Sequence, residues 1–240
     1  MDIADLITSV RTDYLDDSIA GELWDNNFMF RAFTEAQRQV CNRQNILFDD
    51  STAEYTSITL VDGTASYALS PKVTDIEQVI FDSLAVTQLS KHELERSTPA
   101  WRAKTGMTGK VVNYIIRGKS IRFIPSPDAD DDAKVVSLEV FRLPAADITA
   151  TTDIPEIPEE FHRDLIYWVL HEACKKQDAD TYNQERSDYF LNRFTEVFGE
   201  YISAEVRLNK LQQRGSLHLR PTAYTTNLTT SSSSDDWDNF

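Results

Sequence analysis

Ile58-Thr59-Leu60-Val61-Asp62-Gly63-Thr64-Ala65-Ser66-Tyr67-Ala68-Leu69 is the stretch on which the reading of this chain turns. Ile58 and Leu60 alternate, Asp62-Gly63 supplies a tight turn, and Tyr67 and Leu69 alternate on the return. A period of two on both sides of a turn predicts a β-hairpin. Before it the apolar spacing is helical. Ile3, Leu6, Ile7 and Val10 step as i, i+3, i+4, i+7 and predict a helix over 2–12 that Asp2 can cap. Phe28, Ala32, Ala36 and Val40, with Met29 and Phe33 beside them, predict a second helix over 26–45 capped by Asp25, onto which Trp24 can pack back.

The period of two continues after the opening stretch. Residues 76–81 and 84–88 predict paired strands about Asp82-Ser83, and 111–117 with 120–124 a further hairpin about Gly118-Lys119. Ser90 and Glu93 form a capping box for a short helix over 91–96, and 135–143 is a last strand closed by Pro144. Helices resume at Pro158. Phe161, Leu165, Trp168 and Val169 mark the buried stripe of a helix over 159–177, with Lys175 and Lys176 suited to its C-terminal dipole. Asp180 can cap a long final helix, 181–213. There Phe190, Phe194, Val197, Tyr201, Ala204, Leu208 and Leu211 step by 4, 3, 4, 3, 4, 3. That 3.5-residue seam predicts packing along another long helix, within the chain or in a neighbouring subunit. The class is therefore α+β. Two N-terminal and two C-terminal helices form a bundle, a β-rich insertion spans 57–144, the body runs over 1–213, and an extended arm covers 214–240.

Composition bounds the function. With 41% hydrophobic residues the chain can build a real core, and its formal charge of −15 argues against a surface built to grip phosphates. An acidic wall past which DNA slides is compatible with that charge. Cys41 and Cys174 give no disulfide framework and point to a reducing compartment. The opening residues MDIADLITSV lack the basic region of a signal peptide, and no window approaches ~18 continuous apolar residues, so no membrane span is expected.

Catalytic signatures are sought without success. His171-Glu172-Ala173-Cys174 lacks the second His of a zinc helix, and two ligands are too few, so helix packing is the expected role. Gly118-Lys119-Ser120 has Asn113 where a phosphate loop needs glycine. Asp128, Asp130, Asp132 and Glu139 match positions 1, 3, 5 and 12 of a calcium loop, but Ala133 replaces the glycine and the flanks are β, so a solvated acidic turn is expected. No nucleophile elbow or dinucleotide loop appears, and no cofactor is called for. Arg207, Lys210, Arg214 and Arg220 gather where the last helix meets the arm, complementing its C-terminus or an acidic partner.

The arm has another composition. From Thr222 to Phe240 nine of nineteen residues are Ser or Thr, which cannot form a core alone. Yet 214–240 keeps Leu217, Leu219, Tyr224, Leu228, Trp237 and Phe240. A spacer needs no aromatic tip. A strap that orders on a partner does, so those residues with Arg220 are the expected partner-binding set.

The ordered motifs complete the reading: Leu23-Trp24-Asp25 and Phe33-Thr34-Glu35-Ala36-Gln37-Arg38, then Ile58 to Leu69, Ile121-Arg122-Phe123-Ile124-Pro125-Ser126-Pro127-Asp128, Val140-Phe141-Arg142-Leu143-Pro144, Ile157-Pro158-Glu159-Glu160-Phe161-His162 and Asp178-Ala179-Asp180. In this order, over about residues 3–205, the chain resembles the head-to-tail adaptor (connector) proteins of tailed bacteriophages. The resemblance implies a structural virion neck protein, not an enzyme, assembled in the host cytoplasm. It implies a homo-oligomeric ring, usually of twelve subunits, beneath the portal protein, prolonging the DNA channel and meeting the next tail or neck component. Genomic DNA would pass without sequence-specific contact, and the segment after the last helix would insert among portal subunits. The alternatives are a tail-tube or baseplate component, a metal-dependent hydrolase using 128–132, or a DNA-binding regulator.

Overall fold

Two apolar periods build two large cores. The computed structural model describes residues 1–17, 23–97, 108–176 and 182–213. Asp2 accepts from the Asp5 amide and starts α1 (Ile3–Ser9), which buries Ile3, Leu6 and Ile7 and continues as a π-helical turn through Leu15. Asp25 accepts from the Phe28 amide at 2.8 Å and starts α2 (Asn26–Arg43), whose buried face carries Met29, Ala32, Phe33, Ala36, Val40 and Cys41. Trp24 is buried in the same core.

A short α3 (Ala53–Thr56) lies between β1 (Phe48–Asp49) and β2 (Ser57–Thr59). The remaining strands are β3 (Ser66–Ala68), β4 (Val73–Phe81), β5 (Leu84–Ala85), β6 (Thr87–Gln88), β7 (Asn113–Arg117), β8 (Ser120–Ile124) and β9 (Val135–Arg142). Strand β9 is the spine of the first sheet, with β1 and β2 along one edge and β4, then β5, beyond the other. The second sheet has the order β3-β8-β7-β6, antiparallel except for the β6–β7 pair. Ile58, Ile76, Val79, Leu138 and Val140 of the first sheet and Tyr114, Ile116, Ile121 and Phe123 of the second form one buried cluster. On the other face of the second sheet, Ile115 packs under Leu94 of α4 (Lys91–Ser97). Ser90 and Glu93 close that helix's capping box in both directions.

The predicted pairing of the opening stretch is corrected. The turn forms: Gly63 takes φ 70°, and the Thr64 amide donates to the Val61 carbonyl at 2.9 Å. But β2 pairs with β9 and β3 with β8, so the two arms enter different sheets. The hairpin about Gly118-Lys119 forms as expected, but the one about Asp82-Ser83 pairs only through Leu84–Ala85, since Thr87–Gln88 crosses to the second sheet beside β7.

Helices resume as a 3-10 turn, Glu159–Phe161, and α-helix begins only at α5 (Leu165–Cys174). His162 lies buried between the carbonyls of Met1 and Ile157, at 3.1 and 2.8 Å, and fixes this entry turn against the N-terminus. The long last helix is also corrected. It is two helices, α6 (Gln184–Phe198) and α7 (Ala204–Gln213). Gly199 ends α6 at φ 77° and ψ 177°, a conformation essentially reserved for glycine. Asp180 lies outside the described residues, and Asn183 caps α6 by accepting from the Arg186 amide at 2.9 Å.

Candidate assembly surface

The 3.5-residue seam does not form one stripe: the break at Gly199 divides its buried residues between both cores. Phe190 and Phe194 are buried in the helical core. Phe194 meets Trp168 at 5.3 Å between ring centroids, and Phe198, which the seam had missed, at 4.7 Å. Phe198 follows Phe194 by four residues, so helical spacing alone could have found it. Arg43, at the end of α2, lies over the Phe194 ring and donates to Thr195 Oγ1 at 2.9 Å and the Gly199 carbonyl at 2.7 Å, closing the end of α6.

Beyond the break, Leu208 and Leu211 turn to the β layer. They line a groove with Val73 and Ile76 of β4, Ile116 of β7 and Lys119. Leu211 is buried in the β core, and its carbonyl accepts from Gln88 Nε2. Arg207 reaches the other way, donating to the Oδ1 and carbonyl of Asn42 at 2.6 and 2.7 Å. Helix α7 thus ties the end of α2 to the second sheet. Val197 is 36% exposed and Tyr201 57%, so these two seam residues belong to neither core. With Tyr189 and Val206 they leave apolar surface on α6, α7 and the link between them.

A polar junction that the sequence did not disclose joins the layers. Arg142, at the end of β9, donates from Nε to Asp49 Oδ2 and from Nη2 to Glu156 Oε1, each at 2.6 Å, and stacks over Tyr55. Gln37 of α2 accepts from the Glu156 amide at 2.8 Å. Burial, then the nearby Glu156, pushes the Cys41 thiol up to about 12, which keeps it protonated and unreactive.

The chemistry weighed in the sequence does not assemble. Asp128 accepts from the amides of Asp130 and Asp131, Asp132 from the amide of Asp62, and Asp131 pairs with Lys134 at 2.8 Å. Ala133, at the calcium-loop glycine position, takes φ 60° and closes the turn, while Glu139 lies within β9 opposite Gln78. Among the described residues no three His, Cys, Asp or Glu are placed to hold a metal. His171 is buried beside Trp168 and bonds to Ser187, and burial lowers its basicity, consistent with packing. Among the described residues no helix is long and apolar enough to cross a membrane. Leu217, Leu219, Arg220, Tyr224, Leu228, Trp237 and Phe240, and with them Arg214, lie outside the described residues.

No curated protein matches the chain. The model of one family, the SU10 adaptor protein, matches residues 1–231. That span includes 222–231, which the motif resemblance, ending near residue 205, had left out. A match of this extent places the chain in the SU10 adaptor protein family and makes it a phage structural protein of the adaptor type.

Proposed function

We propose that the chain is a virion neck subunit that forms a ring, of twelve copies, beneath the portal. The ring continues the DNA channel, passes the genome without sequence-specific contact, and presents a platform to the next tail or neck component. Assembly takes place in the host cytoplasm. The observation that carries this reading is the family match over 1–231. Its physical support is the division of labour along the chain. The stripes of α1, α2, α5 and α6 and the inner faces of both sheets are spent on the subunit's own cores. Surface left for other molecules includes the exposed Tyr189, Val197, Tyr201 and Val206, and the sequence adds the arm over 214–240.

The arm supplies the portal contact in this reading. Ordering it costs about 1–2 kcal/mol per residue of backbone entropy. Each large apolar side chain returns only about 1.5–3 kcal/mol on full burial. Leu217, Leu219, Tyr224, Trp237 and Phe240 leave a thin balance for one arm, and repetition around a ring adds the avidity. Deleting 222–240 is expected to leave the body folded and to abolish capture by immobilised portal. Undiminished capture would overturn the role of the arm. Failure of the full chain to bind portal at all would overturn the adaptor placement.

A further inference from the structure

Residues 89–124 carry eight Lys or Arg and two Glu, a net +6, in a chain whose total is −15. Three of these cations, Lys91, Arg117 and Arg122, line one cavity. The β7–β8 register sets Ile115 opposite Arg122 and Arg117 opposite Ser120, so these four side chains share the outer face of the second sheet. Helix α4 covers one end of that face through Leu94 and Ile115. The rest opens into a cavity of about 580 Å³, with Lys91, Arg117 and Arg122 around it, Leu89 and Ile115 on its floor, and Gln212 of α7 at its edge. Among the described residues that line it there is no carboxylate.

We propose that this cavity holds the tip of the same chain, Asp235-Asp236-Trp237-Asp238-Asn239-Phe240, until the portal takes it. Its three carboxylates meet Lys91 and Arg117, the latter a guanidinium group that binds a carboxylate through paired donors. Trp237 and Phe240, interleaved with the acids, match the apolar floor of Leu89 and Ile115. Duplex DNA would satisfy the cations but leave that floor unused. The arm also leaves the body at the cavity, because Gln212 lines it and α7 ends at Gln213. The intervening stretch, 214–234, is 21 residues, and a tether of that order keeps the local concentration of the tip in roughly the millimolar range. The consequence is a latch: anchoring must break the tip's contacts, so the aromatic residues stay covered until portal is present. That consequence rests on the portal reading above; the docking itself does not.

Hydrogen exchange of the full chain, without portal, tests it. Amides over 233–240 are expected to exchange about tenfold more slowly than the same segment in Arg117→Glu or Lys91→Glu, and 1 M NaCl is expected to abolish the difference. The charge swap Arg117→Asp with Asp236→Arg is expected to restore protection. Exchange at the unprotected rate in the unmodified chain would overturn the proposal. So would protection that grows with protein concentration, which would assign the tip to a second copy. Binding of a fluorescent 20-base-pair duplex, lost in Arg117→Glu while the tip stays unprotected, would reassign the cavity to nucleic acid. Portal capture, measured separately, tests the adaptor reading whatever the exchange result.

Discussion

Asp49 carries more of the fold than its place in a two-residue strand suggests. Its side chain is 4% exposed and accepts from the amides of Thr52 at 2.9 Å and Ser51 at 3.1 Å as well as from Arg142. Burial alone would raise the carboxyl. The Thr52 amide, the Arg142 guanidinium and the Ser51 amide outweigh it and hold the group well below the ordinary carboxylate range. The sign of the linkage follows. The unfolded chain takes up a proton near the ordinary value of about 3.9 while the folded chain still resists it, so stability rises with pH across that window. The contribution of Asp49 is present above about pH 4 and is lost as pH falls toward the folded value. Asp49→Asn is expected to cost about 1–3 kcal/mol at pH 7, because Arg142 and two amides lose a charged acceptor. Urea midpoints at pH 7, 5, 3 and 2 should show the mutant's deficit shrinking at the acid end. A deficit constant across that range would place the dependence elsewhere.

At the scale of elements, the parts legible in the sequence were those set by local spacing. Asp2 and Asp25 cap where they were expected to, Ser90 and Glu93 close their box, and Asp82 and Ser83 both take positive φ in the β4–β5 turn. Pairing across the chain was not legible. Ile58 and Tyr67 flank a turn that forms, yet each strand finds a longer partner more than fifty residues away in sequence, β9 or β8. The Asp49–Arg142 pair, 93 residues apart, leaves no local signal either. The seam over 190–211 shows how a true period can mislead. Its spacing persists across Gly199, but the chain turns there, and the two halves face different cores. This makes a sharp contrast testable. Phe194→Ala should cost about 3–5 kcal/mol, since Phe194 is fully buried among Trp168, Phe198 and Arg43. Tyr201→Ala, at an exposed position, should change the unfolding free energy from urea titration by no more than about 0.5 kcal/mol. Equal losses would mean that the seam is one continuous buried stripe after all.

At the scale of the molecule, α7 connects the two cores, and its hold on α2 can be cut without entering either. Arg207 holds Asn42 at the end of α2, while Leu211, one helical turn on, is buried against the β layer and its carbonyl is held by Gln88. The arm continues from the end of this helix, so any pull on the arm is applied first to α7. Arg207→Ala removes the α2 side of the bridge and leaves Leu211 in place. The loss of three charge-assisted bonds, two to Asn42 and one to the Ile202 carbonyl, on a partly exposed side chain should cost about 1–2 kcal/mol, measured as local opening, not global unfolding. Hydrogen exchange should therefore speed up over 204–211 and in β6, whose Gln88 side chain holds the far end of α7. Exchange in α5 and α6, held by Phe190, Phe194 and Phe198, should stay unchanged. Acceleration in α5 and α6 to the same degree would mean that the two layers unfold as a single unit and that α7 is part of that unit, not a separate tie between them.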